Sequence, residues 1–141
     1  MMNVLTVFIF IACSIATVLP GTMYVSTVGD PGSRKNLVVQ DNQFVVGTYY
    51  STFDYHDEGM LQFCANGKYL GVDRTGKFFI TEQPHMGFSL VKKLDSSYER
   101  ILQYNGGQAF ELCGDGSIGF NSKCEGAQAM SIIYKDIIQP R

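Results

Sequence analysis

A repeated hairpin limits this chain more than any other feature. Gly67-Lys68-Tyr69-Leu70-Gly71-Val72 leads into a turn that ends at Gly76 and resumes as Phe78-Phe79-Ile80. Further on, Gly107-Gln108-Ala109-Phe110-Glu111-Leu112 leads into a turn that ends at Gly116 and resumes as Ile118-Gly119-Phe120. Upstream, Leu37-Val38-Val39 precedes Asp41-Asn42 and then Phe44-Val45-Val46. In each copy apolar residues alternate on both sides of a Gly, Asn or Asp turn, the pattern of two antiparallel strands tightly joined. A unit of this size cannot bury its apolar faces alone. Three copies closed around a pseudo-threefold axis can share one core and leave few bare strand edges.

The repeat predicts an all-β chain: a β-trefoil of about twelve strands in three four-stranded repeats. The strands are expected near residues 24–26, 37–40, 44–47 and 51–55; then 61–64, 69–72, 78–81 and 88–92; then 101–104, 110–113, 118–120 and 130–134. A β-sandwich is the competing arrangement of similar short strands. In the repeats, Leu70, Val72, Phe78, Phe110 and Leu112 read as core positions.

A chain of 141 residues suits one domain. Its formal net charge of −2 offers no electrostatic footprint for nucleic acid. The stretch from Met1 to Thr22 has no charged side chain, and its apolar run from Val4 to Ala12 is short for a bilayer span. Ser14-Ile15-Ala16 places small residues before a cleavage point, so residues 1–22 read as a signal peptide cut somewhere in 16–22. An uncleaved anchor is the alternative. The expected product is a secreted, extracellular domain of residues 23–141 that does not insert into membranes. Beyond the leader, Cys64, Cys113 and Cys124 form an odd set for an oxidising compartment. Cys113 and Cys124 flank a hairpin and either pair or stay as two thiols.

Catalytic chemistry has no foothold. His56 and His85 lie in polar loops, with no serine or cysteine in a nucleophile motif beside them. Asp57-Glu58 reads as a solvated turn, and Gly114-Asp115-Gly116 as a hairpin turn rather than a phosphate loop. The cysteine spacing does not suit zinc. The expectation is a binding protein without cofactor or metal, not an enzyme.

Four segments carry a more specific signal. Cys64-Ala65-Asn66-Gly67-Lys68-Tyr69-Leu70-Gly71-Val72 is similar to a Cys-Ala-Asn-Arg-Tyr-Leu-Ala-Met segment, and Gly76-Lys77-Phe78 follows as Asp-Gly-Arg-Leu does. The run from Phe88 to Tyr98 resembles Phe-x-Glu-x-Leu-Glu-x-Asn-x-Tyr. Asn121-Ser122-Lys123 with Gly126-Ala127-Gln128 is similar to a Gly-Ser-Lys-Thr-Gly-Pro-Gly-Gln loop, and Met130-Ser131-Ile132-Ile133-Tyr134 stands where a closing strand follows it. These segments belong to the fibroblast growth factors, which the chain resembles from about Leu37 to Asp136.

The resemblance implies a secreted ligand that binds the ectodomain of a receptor tyrosine kinase and signals for proliferation or migration. It implies receptor contacts at Asp95, Tyr98 and Tyr134 and a buried Cys64. For Tyr98 the other reading is a ring that closes a loop over the core. The family's basic heparan sulfate loop keeps only Lys123 and Gln128. Its other places hold Cys113, Gly114, Gly119 and Ala129, with Glu111, Asp115 and Glu125 close in sequence. Heparan sulfate binding is therefore expected to be weak or absent. An interleukin-1-like cytokine and a trefoil protease inhibitor presenting residues 82–87 are the alternative functions. A Gln-x-Trp lectin is excluded because the chain has no Trp.

Overall fold

The computed structural model describes residues 18–27 and 30–137. All its regular elements among them are strands: β1 (Val18–Thr27), β2 (Asp30–Gln40), β3 (Gln43–Gly47), β4 (Phe53–His56), β5 (Met60–Phe63), β6 (Tyr69–Val72), β7 (Phe78–Thr81), β8 (Phe88–Lys92), β9 (Glu99–Tyr104), β10 (Phe110–Leu112), β11 (Ile118–Gly119) and β12 (Gln128–Asp136). Every strand expected from alternation is present, and β6, β7 and β8 match to the residue. No helix among the described residues is long and apolar enough to cross a membrane.

Seven strands close a ring by antiparallel pairing in the order β1-β2-β3-β7-β6-β5-β4 and back to β1. The remaining five extend it: β12 pairs with β1, β9 and β10, β8 pairs with β9, and β11 pairs with β10. Closure satisfies the ladder groups that an open sheet would leave bare.

The three repeated hairpins, β2–β3, β6–β7 and β10–β11, touch one another in a cycle. Val46 N–H donates to the Gly116 carbonyl at 3.0 Å, Ile80 N–H to Asn42 at 3.0 Å, and Phe120 N–H to Gly76 at 2.8 Å. The three acceptors hold equivalent turn positions. All have left-handed backbone, φ 60° at Asn42, 89° at Gly76 and 86° at Gly116, which Gly and Asn tolerate best.

Inside lies one core. Leu37, Leu70 and Phe110 on the first strands of the hairpins, and Phe44, Phe78 and Ile118 on the second, are all buried. Phe78 stacks with Phe44 at 6.0 Å between centroids and meets Phe110 edge-on at 5.7 Å. Leu112 is buried too, and Val72 packs against the cluster from a half-buried position.

Two expectations about boundaries and core need correction. Cys64 is a free, exposed thiol just beyond the end of β5, not a core residue. Leu61 is buried and Phe63 packs against the core, whereas Cys64 follows in a turn, where inside–outside alternation stops. The first strand also begins earlier than the expected residue 24, at Val18. Val18, Leu19, Pro20 and Gly21 pair with His56, Tyr55, Asp54 and Phe53 of β4. Of the expected signal peptide, residues 1–17 lie outside the described residues.

Candidate functional site

The surface built by the β8–β9 loop, β12 and the start of β2 carries the candidate site. β8 and β9 form a hairpin whose connection, residues 93–98, is pinned at four points. Ser96 N–H donates to the Lys93 carbonyl at 3.3 Å, while the Tyr98 and Glu99 N–H groups donate to Ser96 Oγ at 3.2 Å each. Asp136 N–H of β12 donates to the Tyr98 carbonyl at 2.8 Å, so the loop and β12 meet.

On this support apolar groups face water. Leu94 is fully exposed, Tyr98 is 53% exposed, and Val91 of β8 is exposed as well. Tyr98 therefore does not close a loop over the core. Asp95 is exposed and sits 3.5 Å from Lys93 Nζ. Next to them is a charged cluster that sequence inspection missed. Tyr24 Oη donates to Glu99 Oε2 at 2.7 Å, Lys93 Nζ donates to Glu99 Oε1 at 3.2 Å, and Arg34 Nη1 lies 3.8 Å from Glu99. The Arg34 guanidinium also lies 4.8 Å from the centre of the Tyr24 ring. Burial alone would raise the Glu99 carboxyl, but the Tyr24 and Lys93 hydrogen bonds and the two cations outweigh it and hold it low. Burial and the bond to Glu99 push the Tyr24 hydroxyl up to about 12. Tyr50, with 64% of its surface exposed, lines a groove of about 420 Å³ together with Tyr24, Arg34, Lys135 and Asp136. No sequence motif links these residues; the pairing of β1 with β2 and β12, and of β12 with β9, brings Tyr24, Arg34, Lys135 and Glu99 together.

Tyr134 does not belong to the site. It is wholly buried, with its hydroxyl 2.6 Å from the Leu19 carbonyl and 2.9 Å from that of Phe53. Ile132 and Tyr134 point into the core, so Ile133 and Lys135 take the opposite face. A register error of one residue is enough to exchange the two sets. A Cβ on Gly21 would run into the Tyr134 ring, so β1 must pass this point without a side chain. Asp136 pairs with Arg100 at 3.0 Å; burial raises its carboxyl, and Arg100 pulls it partway back.

At the far side, Cys113 and Cys124 form a disulfide. It ties β10 to the loop before β12, and Glu111 holds the same loop by accepting from Ser122 N–H at 2.7 Å and Ser122 Oγ at 2.6 Å. Those hydrogen bonds keep the Glu111 carboxyl below its usual range. Lys123 and Gln128 are both exposed, but Lys123 follows the Ser122 that Glu111 grips, and the groove beside the disulfide is lined by Asp115 and Glu125. The arrangement offers a sulfated chain Lys77 and Lys123 among three carboxylates, and Lys77 already lies 4.0 Å from Asp115.

The two histidines have structural partners. His56 Nε2 bonds Gln62 Oε1 at 2.9 Å, and His85 Nε2 bonds Tyr104 Oη at 2.8 Å. Among the described residues no three His, Cys, Asp or Glu side chains converge as metal ligands. No family model, no curated protein and no solved structure matches the chain.

Proposed function

We propose that the chain is a secreted β-trefoil ligand of the fibroblast growth factor type that binds a receptor tyrosine kinase ectodomain through Leu94, Asp95 and Tyr98. The observation that carries this reading is an exposed leucine and tyrosine on a backbone fixed by Ser96 and by β12. Most surfaces of monomeric proteins scatter their apolar groups singly; a cluster on a pinned support is what interface anchors require. The trefoil reading draws on the cycle of three equivalent hydrogen bonds between the hairpins and on the β12–β1, β1–β4, β4–β5, β8–β9 and β9–β12 pairings. The disulfide is compatible with an extracellular protein.

Export rests on the expected signal peptide, and the pairing of Val18–Gly21 with β4 bears on where it would be cut. Leu19 supplies a carbonyl to buried Tyr134, so cleavage beyond Val18 would cost the domain part of β1. The mature terminus is expected at Thr17 or Val18. N-terminal sequencing of protein recovered from medium checks this, and a folded product that starts after Leu19 would contradict it.

The receptor reading is tested by capture of receptor tyrosine kinase ectodomains on immobilised mature protein. Tyr98→Ala should weaken the captured receptor about thirtyfold, equivalent to about 2 kcal/mol. Lys123→Ala should leave it unchanged. Equal binding by Tyr98→Ala and the parent would remove Tyr98 from the site, and no captured receptor would remove the function.

A further inference from the structure

The loop between β7 and β8, residues 82–87, carries a second exposed apolar side chain at the opposite end of β8 from Tyr98. β8 has five residues, which puts the two loops roughly 15 Å apart. Met86 is 54% exposed, while the residues on either side of it are tied down. His85 Nε2 lies 2.8 Å from Tyr104 Oη, with the two rings inclined by 21°. Asn105 N–H donates to the Gly87 carbonyl at 2.9 Å. Two consecutive residues, Tyr104 and Asn105, thus hold the residues before and after Met86. The ends of the loop are fixed as well. Gln83 N–H donates to Thr81 Oγ1 at 3.3 Å, and Phe88 N–H donates to the Gly59 carbonyl at 3.0 Å. Gly87 has φ 116°, and a Cβ there would sit 2.6 Å from Asn105 Oδ1, so no other residue fits against the support. Pro84 restricts the chain before His85.

We infer that residues 82–87 form a substrate-like inhibitory loop for a serine endopeptidase, with Met86 filling a deep apolar primary pocket. An endopeptidase cleft accepts a convex segment and one anchoring side chain. A segment already held in place loses little conformational entropy on binding. Methionine suits the pocket because its side chain is long, unbranched and apolar.

The tethers also explain why such a loop would resist turnover. Attack of the protease serine Oγ on the Met86 carbonyl carbon forms an acyl ester and breaks the Met86–Gly87 C–N bond. The serine proton passes through the catalytic histidine to the Gly87 nitrogen. Gly87 stays bound to Asn105 through its own carbonyl and continues into β8, so the new amine remains beside the ester. Its attack on the ester re-forms the C–N bond and returns the proton to the serine. An amine held in place competes with water at a high effective concentration. The activity is independent of the receptor reading, because it uses neither Leu94 nor Tyr98.

The test is titration of chymotrypsin with the mature protein, read by hydrolysis of a chromogenic peptide, with trypsin as control. Chymotrypsin should be inhibited and trypsin should not. Met86→Ala should weaken inhibition about tenfold or more, and Met86→Lys should transfer inhibition from chymotrypsin to trypsin. Prolonged incubation should leave most of the chain uncut at Met86–Gly87 by mass spectrometry. Absence of chymotrypsin inhibition at micromolar protein, rapid cleavage at Met86–Gly87, or a folded Met86→Lys variant inert toward trypsin would each overturn the proposal.

Discussion

The loops at the two ends of β8 are equal in length and opposite in construction. Residues 82–87 rest on rings: His85 lies against Tyr104 and Phe88, and Phe88 lies 4.9 Å from Tyr104. Residues 93–98 rest on a serine hydroxyl and on ion pairs from Lys93 to Asp95 and Glu99. The first support is aromatic, half-buried and largely indifferent to salt. The second is partly wet, and its charges are screened within about 10 Å at 0.1 M salt. Both present apolar groups to solvent, but only the first fixes the residues on both sides of one protruding side chain. A rigid single anchor suits a cleft, whereas a broader patch bordered by charge suits a flatter partner.

The change that should strike both loops at once is Phe88→Ala. Phe88 is buried between Phe78 and Tyr104 at the start of β8. Its loss should cost about 3–5 kcal/mol, from lost transfer energy and from the cavity left behind. Denaturant melts measure it. A loss below about 1 kcal/mol would mean that the rings do not support the first loop as the contacts suggest.

Next in size is Tyr134→Phe. It leaves the core volume nearly unchanged and removes the hydroxyl between the Leu19 and Phe53 carbonyls. One or both carbonyls then lack a partner, at a cost of about 1–3 kcal/mol. Receptor capture per folded molecule should stay at the parental level. A variant as stable as the parent but weaker in capture would return Tyr134 to the interface and reverse the assignment of β12 as support.

The two loops read differently in the sequence. Alternation revealed every strand, including both neighbours of residues 82–87, because burial on one face imposes a period of two whatever the partner strand. Asp95 and Tyr98 were singled out by the family resemblance, and the structure places both in the loop after β8 with exposed side chains. Tyr24, Arg34 and Glu99 were not: they are distant in sequence, and an interstrand cluster leaves no local period. Tyr134 was placed in the site by the resemblance, and the strand pattern could not correct it. Met130-Ser131-Ile132-Ile133-Tyr134 is apolar on both faces over its last residues, so pattern alone cannot say which set faces inward. Cys64 erred by one step past the end of β5, where the pleat stops.

Acid should separate the two supports. Burial lowers the affinity of His85 for a proton below that of an ordinary histidine, whose value is 6.5. The unfolded chain then binds more protons than the folded one just below pH 6.5. Stability therefore falls as pH drops from about 6.5 toward the lower folded value, and no further loss comes from this group below that. The protons of Glu99 act later. Its folded affinity is below the ordinary value of 4.5, so its contribution is complete above pH 4.5 and fades as pH falls through the folded value. Amide exchange followed between pH 7.5 and 5.5 should show loop 82–87 loosening while loop 93–98 stays protected. A His85→Phe variant should lose the pH dependence in this window. Equal loosening of both loops above pH 5.5 would show that their supports are not distinct.

The smallest effect expected on stability is that of Asp95→Ala. The Asp95 carboxylate is 77% exposed and meets Lys93 at 3.5 Å, and Lys93 keeps a second, better shielded carboxylate in Glu99 at 3.2 Å. Exposed ion pairs contribute about 0.2–1 kcal/mol at most, and here the cation would simply keep its other partner, so the melt should move by less than about 0.5 kcal/mol. The loop should also hold its shape, because Ser96 and not Asp95 accepts the N–H groups of Tyr98 and Glu99. Any larger consequence must then come from a partner. If Asp95 pairs with a cation on the captured receptor, Asp95→Ala should slow association, and the difference from the parent should shrink as salt is raised from 0.05 to about 0.5 M, where screening removes long-range attraction. A change in dissociation alone, unaffected by salt, would place Asp95 in a dry contact instead. No change in either rate would confine the site to Leu94 and Tyr98 and make the wet loop, like the one held on rings, a purely apolar anchor.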